Sequence, residues 1–442
     1  MDDGKALWSR WQALMRRFTA WFTRPGWVRF TQWVTGTVLC WEEHTITQIL
    51  TSMGLESRWR VLESFAEYGA FDCEAVERLT VRLIEEERPA RWAHYHPVAL
   101  DDTKEHRTSE GVWGTCTFHE PASRSPNRAE TVRAHNWVVM GDLLPGTPWT
   151  YLPHTARLYF RKSQLPETET FCKKTDWAVN MLRQVDAESP APILAVFDGA
   201  YANETVVKPC LNPPEGQRRI EVVTRLRVDA RLYCAKVANT KGRPRVWGRR
   251  LPAPRKHAQW QVPWQKGQAY IYGRQRTFRY KQMQCFWAVS GPTIPVHVFV
   301  FEVEGYDEPW YIVTTALDLS VAQVVEVFAA RFRQEDGFRD HKQRLGMEEC
   351  RAWTKEPILR TFRVQMVAQT LLRLLQFQLD ADWGQKGWWH PPEWNPHKKH
   401  PSILDLRRLL WRYREDFSHF LAKLEELPKV IPATSPCPAF AS

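Results

Sequence analysis

From residue 93 the hydrophobic pattern of this 442-residue chain changes period, and that change limits the folds open to it. Before it, Trp8, Trp11, Met15, Phe18 and Phe22 recur at spacings of three and four, an amphipathic helical stripe. Residues 5–90 read as helices throughout. The stretch 45–65, with a turn at Gly54, fits a helix-turn-helix and a plain helical pair alike. After residue 93 short apolar runs take over: HPVALDD (96–102), AHNWVVMGDLL (134–144), TARLYFR (155–161), APILAVFDG (191–199), RRIEVVTRLR (218–227) and WYIVTTALDLS (310–320). These read as strands. Residues 167–186 suit a helix, and 117–130, with Pro121, Ser123, Ser125, Pro126 and Asn127, a flexible loop. Beyond 350 the helical period returns over 357–379. A loop dense in tryptophan and proline follows (383–401). Ser402 then caps a helix with Asp405 at the third position, and Ile403, Leu406, Leu410, Tyr413, Phe417 and Phe420 form a seam suited to packing within the chain or against a second copy. The expectation is an α/β fold: a mixed sheet flanked by helices, interrupted by an insertion, with helical N- and C-terminal regions.

Charge is distributed unevenly. The chain carries a formal net charge of +11, yet no acidic residue lies between Asp229 and Glu302, an interval with 14 lysines and arginines. The rest of the chain therefore sums to about −3. The densest part is KGRPRVWGRRLPAPRK (241–256). Like charges this close repel unless neutralised, and nucleic-acid phosphate is the commonest partner that does so. A membrane is not expected. The longest uncharged run, 282–301, contains Gln282, Gln284, Ser290, Gly291, Pro292, Pro295 and His297, and reads as two strands and a turn. The opening segment has no apolar signal core. Nine cysteines without a C-x-x-C pair point to a reduced, cytoplasmic setting and away from a zinc site.

Acids close two of the apolar runs, Asp101–Asp102 after VAL and Asp198 after ILAVF. Singly, each is an ordinary turn former. A further acid lies in FAARFRQEDGFRDHK (328–342), where Phe328, Arg331, Glu335 and Lys342 stand at offsets 0, 3, 7 and 14. On one continuous helix these sit within roughly 60° of one another. If the two strands are neighbours and the helix lies beside them, three carboxylates converge. Unpaired, they raise each other's pKa. A divalent cation removes that penalty, and oxygen-only ligands favour Mg²⁺ or Mn²⁺. Two such ions activate water and stabilise the leaving oxygen of a phosphodiester. Glu335 then serves as a ligand, Arg331 and Lys342 hold flanking phosphates, and Phe328 packs or stacks nearby.

At these residues the chain resembles DDE-type transposases of bacterial insertion sequences. It is most similar to the branch with a Y-x2-R-x3-E-x6-K signature and a β-rich insertion before the final glutamate. Every spacing is kept, with Phe328 in place of the tyrosine. The resemblance implies a ribonuclease H-like core. It selects Asp102, from ALDDT, as the first catalytic and metal-holding acid; AVFDGAYAN supplies Asp198, and Glu335 completes the triad. It also implies an organisation: 1–92 as a helical DNA-binding region, 93–228 and 303–350 as the two parts of the core, 229–302 as the basic insertion and 351–442 as a helical end. The insertion is expected to clamp element-end DNA through Lys241, Arg243, Arg245, Arg249, Arg250, Arg255 and Lys256. Among Trp247, Trp260, Trp264 and Trp287, the last is singled out to receive a flipped base, although each also suits core packing. Lys104, Arg107 and Arg339 are either phosphate contacts or ordinary exposed cations. The activity implied is Mg²⁺-dependent cutting and strand transfer at inverted repeats of double-stranded DNA by a homodimer. The rivals are a nuclease without strand transfer and a silent DNA-binding descendant.

Overall fold

The apolar run Ile193–Phe197 (β5) is buried at every position, as expected for a strand with both faces covered. It lies at the centre of an 11-stranded mixed sheet in the computed structural model, which describes residues 3–88, 91–120, 130–236, 245–383, 387–417 and 420. β1 (His96–His106) runs parallel to β5, and β5 runs parallel to β6 (Glu221–Arg225). On the far side of β1 lies β3 (Thr131–Leu144), which pairs antiparallel with both β2 (Cys116–His119) and β4 (Thr150–Tyr159). Beyond β6 the order is β11 (Trp310–Thr314), β10 (Pro295–Val303), β9 (Arg274–Trp287) and β7 (Leu232–Tyr233), and β8 (Gln265–Ile271) pairs with β9.

The chain divides into two compact units. One comprises 89–105 and 116–338 and holds the sheet; the other comprises 1–88, 106–115 and 339–442. In the sheet unit, α6 (Lys174–Glu188) packs on β3, β4 and β5, and α7 (Glu204–Leu211) packs on β6. α8 (Val321–Ala330) is started by a capping box in which Ser320 and Gln323 exchange bonds. Its Val324, Val325 and Val327 bury against Ala99, Leu194, Val196, Val223, Phe299 and Ile312. Because side chains alternate along a strand, Leu100, Ala195 and Phe197 face the other way. The basic interval does not stand apart as a compact unit: β7 to β10 continue the same sheet. The expected pair of strands and turn over 282–301 corresponds to the end of β9, its turn and β10.

The expected single helix over 328–342 is two. After α8, α9 runs Phe332–Arg344, and the division between the units falls within it. At Arg331 the amide bonds to the Phe328 carbonyl, three residues back, so the junction is tightened rather than unwound. Each half is pinned to different strands. Glu326 accepts the Tyr270 amide at 2.9 Å, and Gln334 donates to the Val139 carbonyl at 3.0 Å.

The second unit is helical: α1 (Asp3–Arg16), α2 (Arg24–Leu39), α3 (Ile46–Thr51), α4 (Trp59–Tyr68), α5 (Cys73–Glu87), α10 (Lys355–Trp383) and α11 (Ile403–Arg412). α10 packs on α1, α2, α4, α5 and α11. Gly54, at φ +69°, makes the turn between α3 and α4, a conformation that glycine adopts without steric cost. Arg363 and Glu77 form a buried ion pair at 3.1 Å. The terminal helix is shorter than its seam suggested, ending at Arg412. Phe417 and Phe420 pack on Trp8 of α1, so the seam is covered within the chain. Part of the expected 117–130 loop (121–129), together with Lys241 and Arg243, lies outside the described residues. No helix among the described residues is long and apolar enough to cross a membrane, and the eight cysteines among them are free.

Candidate active site

The parallel pairing of β1 with β5 ends at Leu100 and Phe197, so the next residue on each strand is an aspartate, Asp101 beside Asp198. Burial is interrupted at Asp101 and Asp102 and resumes at Thr103 and Glu105, as β1 runs on past the end of β5. Asp101 is half-buried, and its proximity to Asp198 is felt electrostatically. Burial pushes the Asp101 carboxyl up to about 7, and the Asp198 charge is the next largest cause. One oxygen of Asp198 accepts the Ala200 amide at 2.8 Å, a local turn that holds its rotamer.

Arg331 reaches the same edge from the α8–α9 junction. Its Nη1 lies 3.7 Å from Asp101 Oδ2 and its Nη2 3.1 Å from Glu335 Oε1. One planar guanidinium therefore faces both acids, which bounds the separation of those two oxygens at about 9 Å. Gln334 anchors the start of α9. Its amide donates to the Val139 carbonyl at 3.0 Å and lies 3.2 Å from the Tyr151 hydroxyl, all buried. Phe328 packs partly buried against Trp310, with ring centroids 6.3 Å apart.

Asp102 has a different set of neighbours. Lys174, the first residue of α6, donates to its Oδ2 at 2.6 Å, and the Tyr201 hydroxyl donates to its Oδ1 at 3.2 Å. With its amide turned to suit these neighbours, Asn136 donates to Asp102 at 3.2 Å and accepts from Lys174 at 3.0 Å. Burial and then the nearby carboxylates push the Tyr201 hydroxyl well above its ordinary range, so it remains a donor. Lys174, Tyr201 and Asn136 went unnoticed in the sequence; Tyr201 follows Asp198 within AVFDGAY, but nothing local signals its partner.

A second constellation is basic. Arg250, Arg255, Lys256 and Trp287 of the basic interval line one cavity of about 730 Å³ together with Arg227 and Arg231. Asp229 is the acid in its wall, and it pairs with Arg227 at 3.1 Å. Trp287 is buried at 3% exposure, so it serves the packing of β9 as well as the wall. Arg245 and Arg249 are exposed outside that lining. The remaining tryptophans are occupied by packing: Trp247 stacks on Tyr233, Trp260 is buried and donates to the Pro252 carbonyl, and Trp264 lies under Arg279 and Lys281.

Lys104 donates to the His119 carbonyl at 2.6 Å. In the helical unit, Lys342 pairs with Glu348 at 3.3 Å and Arg107 donates to the Cys350 carbonyl. Arg339 also belongs to that unit.

Among the described residues no three metal-binding side chains are already gathered about one point. Asp101 and Glu335 meet across Arg331 instead. The donor set is nonetheless of one kind, carboxylate oxygen, and Asp101 is raised first by burial and then by the Asp198 charge. That chemistry fits a hard divalent cation such as Mg²⁺ or Mn²⁺.

No curated protein matches the chain in sequence. A family model described as DDE superfamily endonuclease matches residues 17–284. The match includes the aspartate pair and Asp198 and ends before Glu335. With well over half of its length matched, the chain belongs to the DDE superfamily endonucleases.

Proposed function

We propose that this endonuclease-family chain is a DNA transposase that binds the inverted repeats at the ends of a mobile element, cuts there, and joins the freed ends to a target. The sheet supports a ribonuclease H-like reading: β4, β3, β1, β5 and β6 lie side by side, with β1, β5 and β6 parallel. The observation that supports the chemistry is Arg331 facing both Asp101 and Glu335, with Asp198 next to Asp101 in the β1–β5 register.

Asp198, Glu335 and an acid of the β1 pair, Asp102 by the family pattern, would hold two Mg²⁺ or Mn²⁺ ions. When bound, such ions supply positive charge that activates water and stabilises a leaving oxygen. The chain's own residues orient the substrate. Arg331 offers a planar donor fork to a phosphate flanking the scissile bond. Phe328 holds the approach of α8 through its ring. Lys342 is a further phosphate contact. Arg250, Arg255, Lys256, Arg227 and Arg231 grip the duplex away from the reaction, joined by Lys241, Arg243, Arg245 and Arg249, and Trp287 walls the cavity. Water attacks the phosphodiester and the 3′ oxygen leaves as a hydroxyl. That hydroxyl then attacks a second phosphodiester, exchanging one bond for another. Two ends must be joined in one reaction, so the working form is a homodimer on DNA, in the cytoplasm.

The test is cleavage of labelled duplexes carrying the element's inverted repeats, with and without Mg²⁺. Asp198→Ala abolishes cleavage and leaves duplex binding nearly intact. Equal cleavage by wild type and variant would sink the enzymatic reading.

A further inference from the structure

Two adjacent acids lie within β1 where its pairing with β5 stops, and because side chains alternate along a strand only one of them can face α9. Asp101 follows Leu100 at the point where β1 and β5 stop pairing, and so stands beside Asp198. Two residues back on each strand, Ala99 and Val196 face the α8 side, buried with Val324, Val325 and Val327. Residues two apart on a strand share a face. Asp101 therefore points where α8 and α9 lie, and its Oδ2 is 3.7 Å from Arg331, the residue that also faces Glu335. Asp102 shares its face with Leu100 and Val98. Its oxygens are taken by Lys174 at 2.6 Å and Tyr201 at 3.2 Å, on α6 and on the turn before α7.

We infer that Asp101, rather than Asp102, is the β1 acid that holds the divalent cation with Asp198 and Glu335, and that Asp102 anchors β1 to α6 through Lys174. This assignment rests on the endonuclease reading. A slip of one residue along β1 would exchange the two faces, and the pairing of Leu100 with Phe197 determines which acid lies where. Each acid faces a cationic side chain, but the contacts differ: Lys174 hydrogen-bonds Asp102 at 2.6 Å, whereas Arg331 stands 3.7 Å from Asp101, beyond hydrogen-bonding distance.

The test compares Asp101→Asn with Asp102→Asn in the full chain, by Mn²⁺ titration followed by electron paramagnetic resonance and by duplex cleavage, with circular dichroism to check folding. Asp101→Asn is expected to weaken Mn²⁺ binding at least ~10-fold and to abolish cleavage. Asp102→Asn, which removes the partner of Lys174, is expected to weaken Mn²⁺ binding less than Asp101→Asn does. Cysteine variants add a readout that misfolding would not imitate. Asp101→Cys should cleave with Mn²⁺ and not with Mg²⁺, because a thiolate suits the softer ion, whereas Asp102→Cys shows no such switch. Loss of Mn²⁺ binding or a metal switch at position 102 and not at 101, in a chain whose wild type cleaves DNA, overturns the assignment and leaves the endonuclease reading standing. A wild type that neither binds Mn²⁺ nor cleaves duplex overturns both.

Discussion

Lys174 donates to Asp102 at 2.6 Å and thereby ties the first residue of α6 to the acid pair of β1. Both side chains are mostly screened from solvent, at 29% and 26% exposure. The pair is thus neither a free surface contact nor a fully desolvated one, and its worth is that of a charge-assisted hydrogen bond.

Replacing Lys174 with methionine leaves the Asp102 carboxylate short of its cation. A loss of about 1–2 kcal/mol is expected in urea unfolding. Combining Lys174→Met with Asp102→Asn should cost less than the sum of the two, because the second change removes the orphaned charge. Additive losses in that double-mutant cycle would mean the two groups do not depend on each other.

Gln334 positions the residue next to it. Its buried amide satisfies the Val139 carbonyl and meets the Tyr151 hydroxyl. Gln334→Leu keeps the volume and orphans both groups, so stability should fall by about 1–3 kcal/mol. DNA cleavage should fall with it at temperatures where the fold is intact, since Glu335 loses its fixed approach. The readouts are a thermal melt and a cleavage rate measured well below it.

The basic cavity should show itself in salt dependence. Arg255→Ala and Arg250→Ala each remove one charge from its wall. If each contacts a phosphate, duplex affinity falls and the slope of log affinity against log salt shrinks by about 1 per residue. Fluorescence anisotropy over a range of salt concentrations measures both. An unchanged slope would place the duplex elsewhere.

Asp405 links stability to pH in the helical unit. Burial alone would raise its carboxyl, but Lys398 and then Ser402 outweigh that and hold it below the ordinary aspartate range. A depressed folded-state pKa stabilises the fold at pH values above the unfolded one, and the contribution is lost as pH falls below about 4. Asp405→Asn should therefore lower stability by about 1 kcal/mol at pH 7, a typical value for a helix cap. The difference from wild type should narrow steadily in denaturant midpoints taken below pH 4.

Capping and turn chemistry was legible locally. Ser402 and Asp405 form the box their spacing suggested, and Gly54 makes its turn, because both depend on backbone only a few residues away. The apolar runs marked their strands for the same reason. The tightened junction at Arg331 was not legible, since no residue there disfavours a helix and the bonds of Glu326 and Gln334 on either side of it go to strands distant in sequence. Nor was the place of the basic interval, whose β9 pairs with β10 across the sheet of the core.

By itself the sequence determined which residues are acids, which runs are apolar enough to be strands, and where positive charge is concentrated. These are properties of composition and of neighbours in the chain. The tertiary structure alone decided which of two consecutive aspartates stands beside Asp198 and Arg331, and which arginines share a cavity. Adjacent residues on a strand point in opposite directions, so the choice between Asp101 and Asp102 depends on the register with a strand almost a hundred residues away.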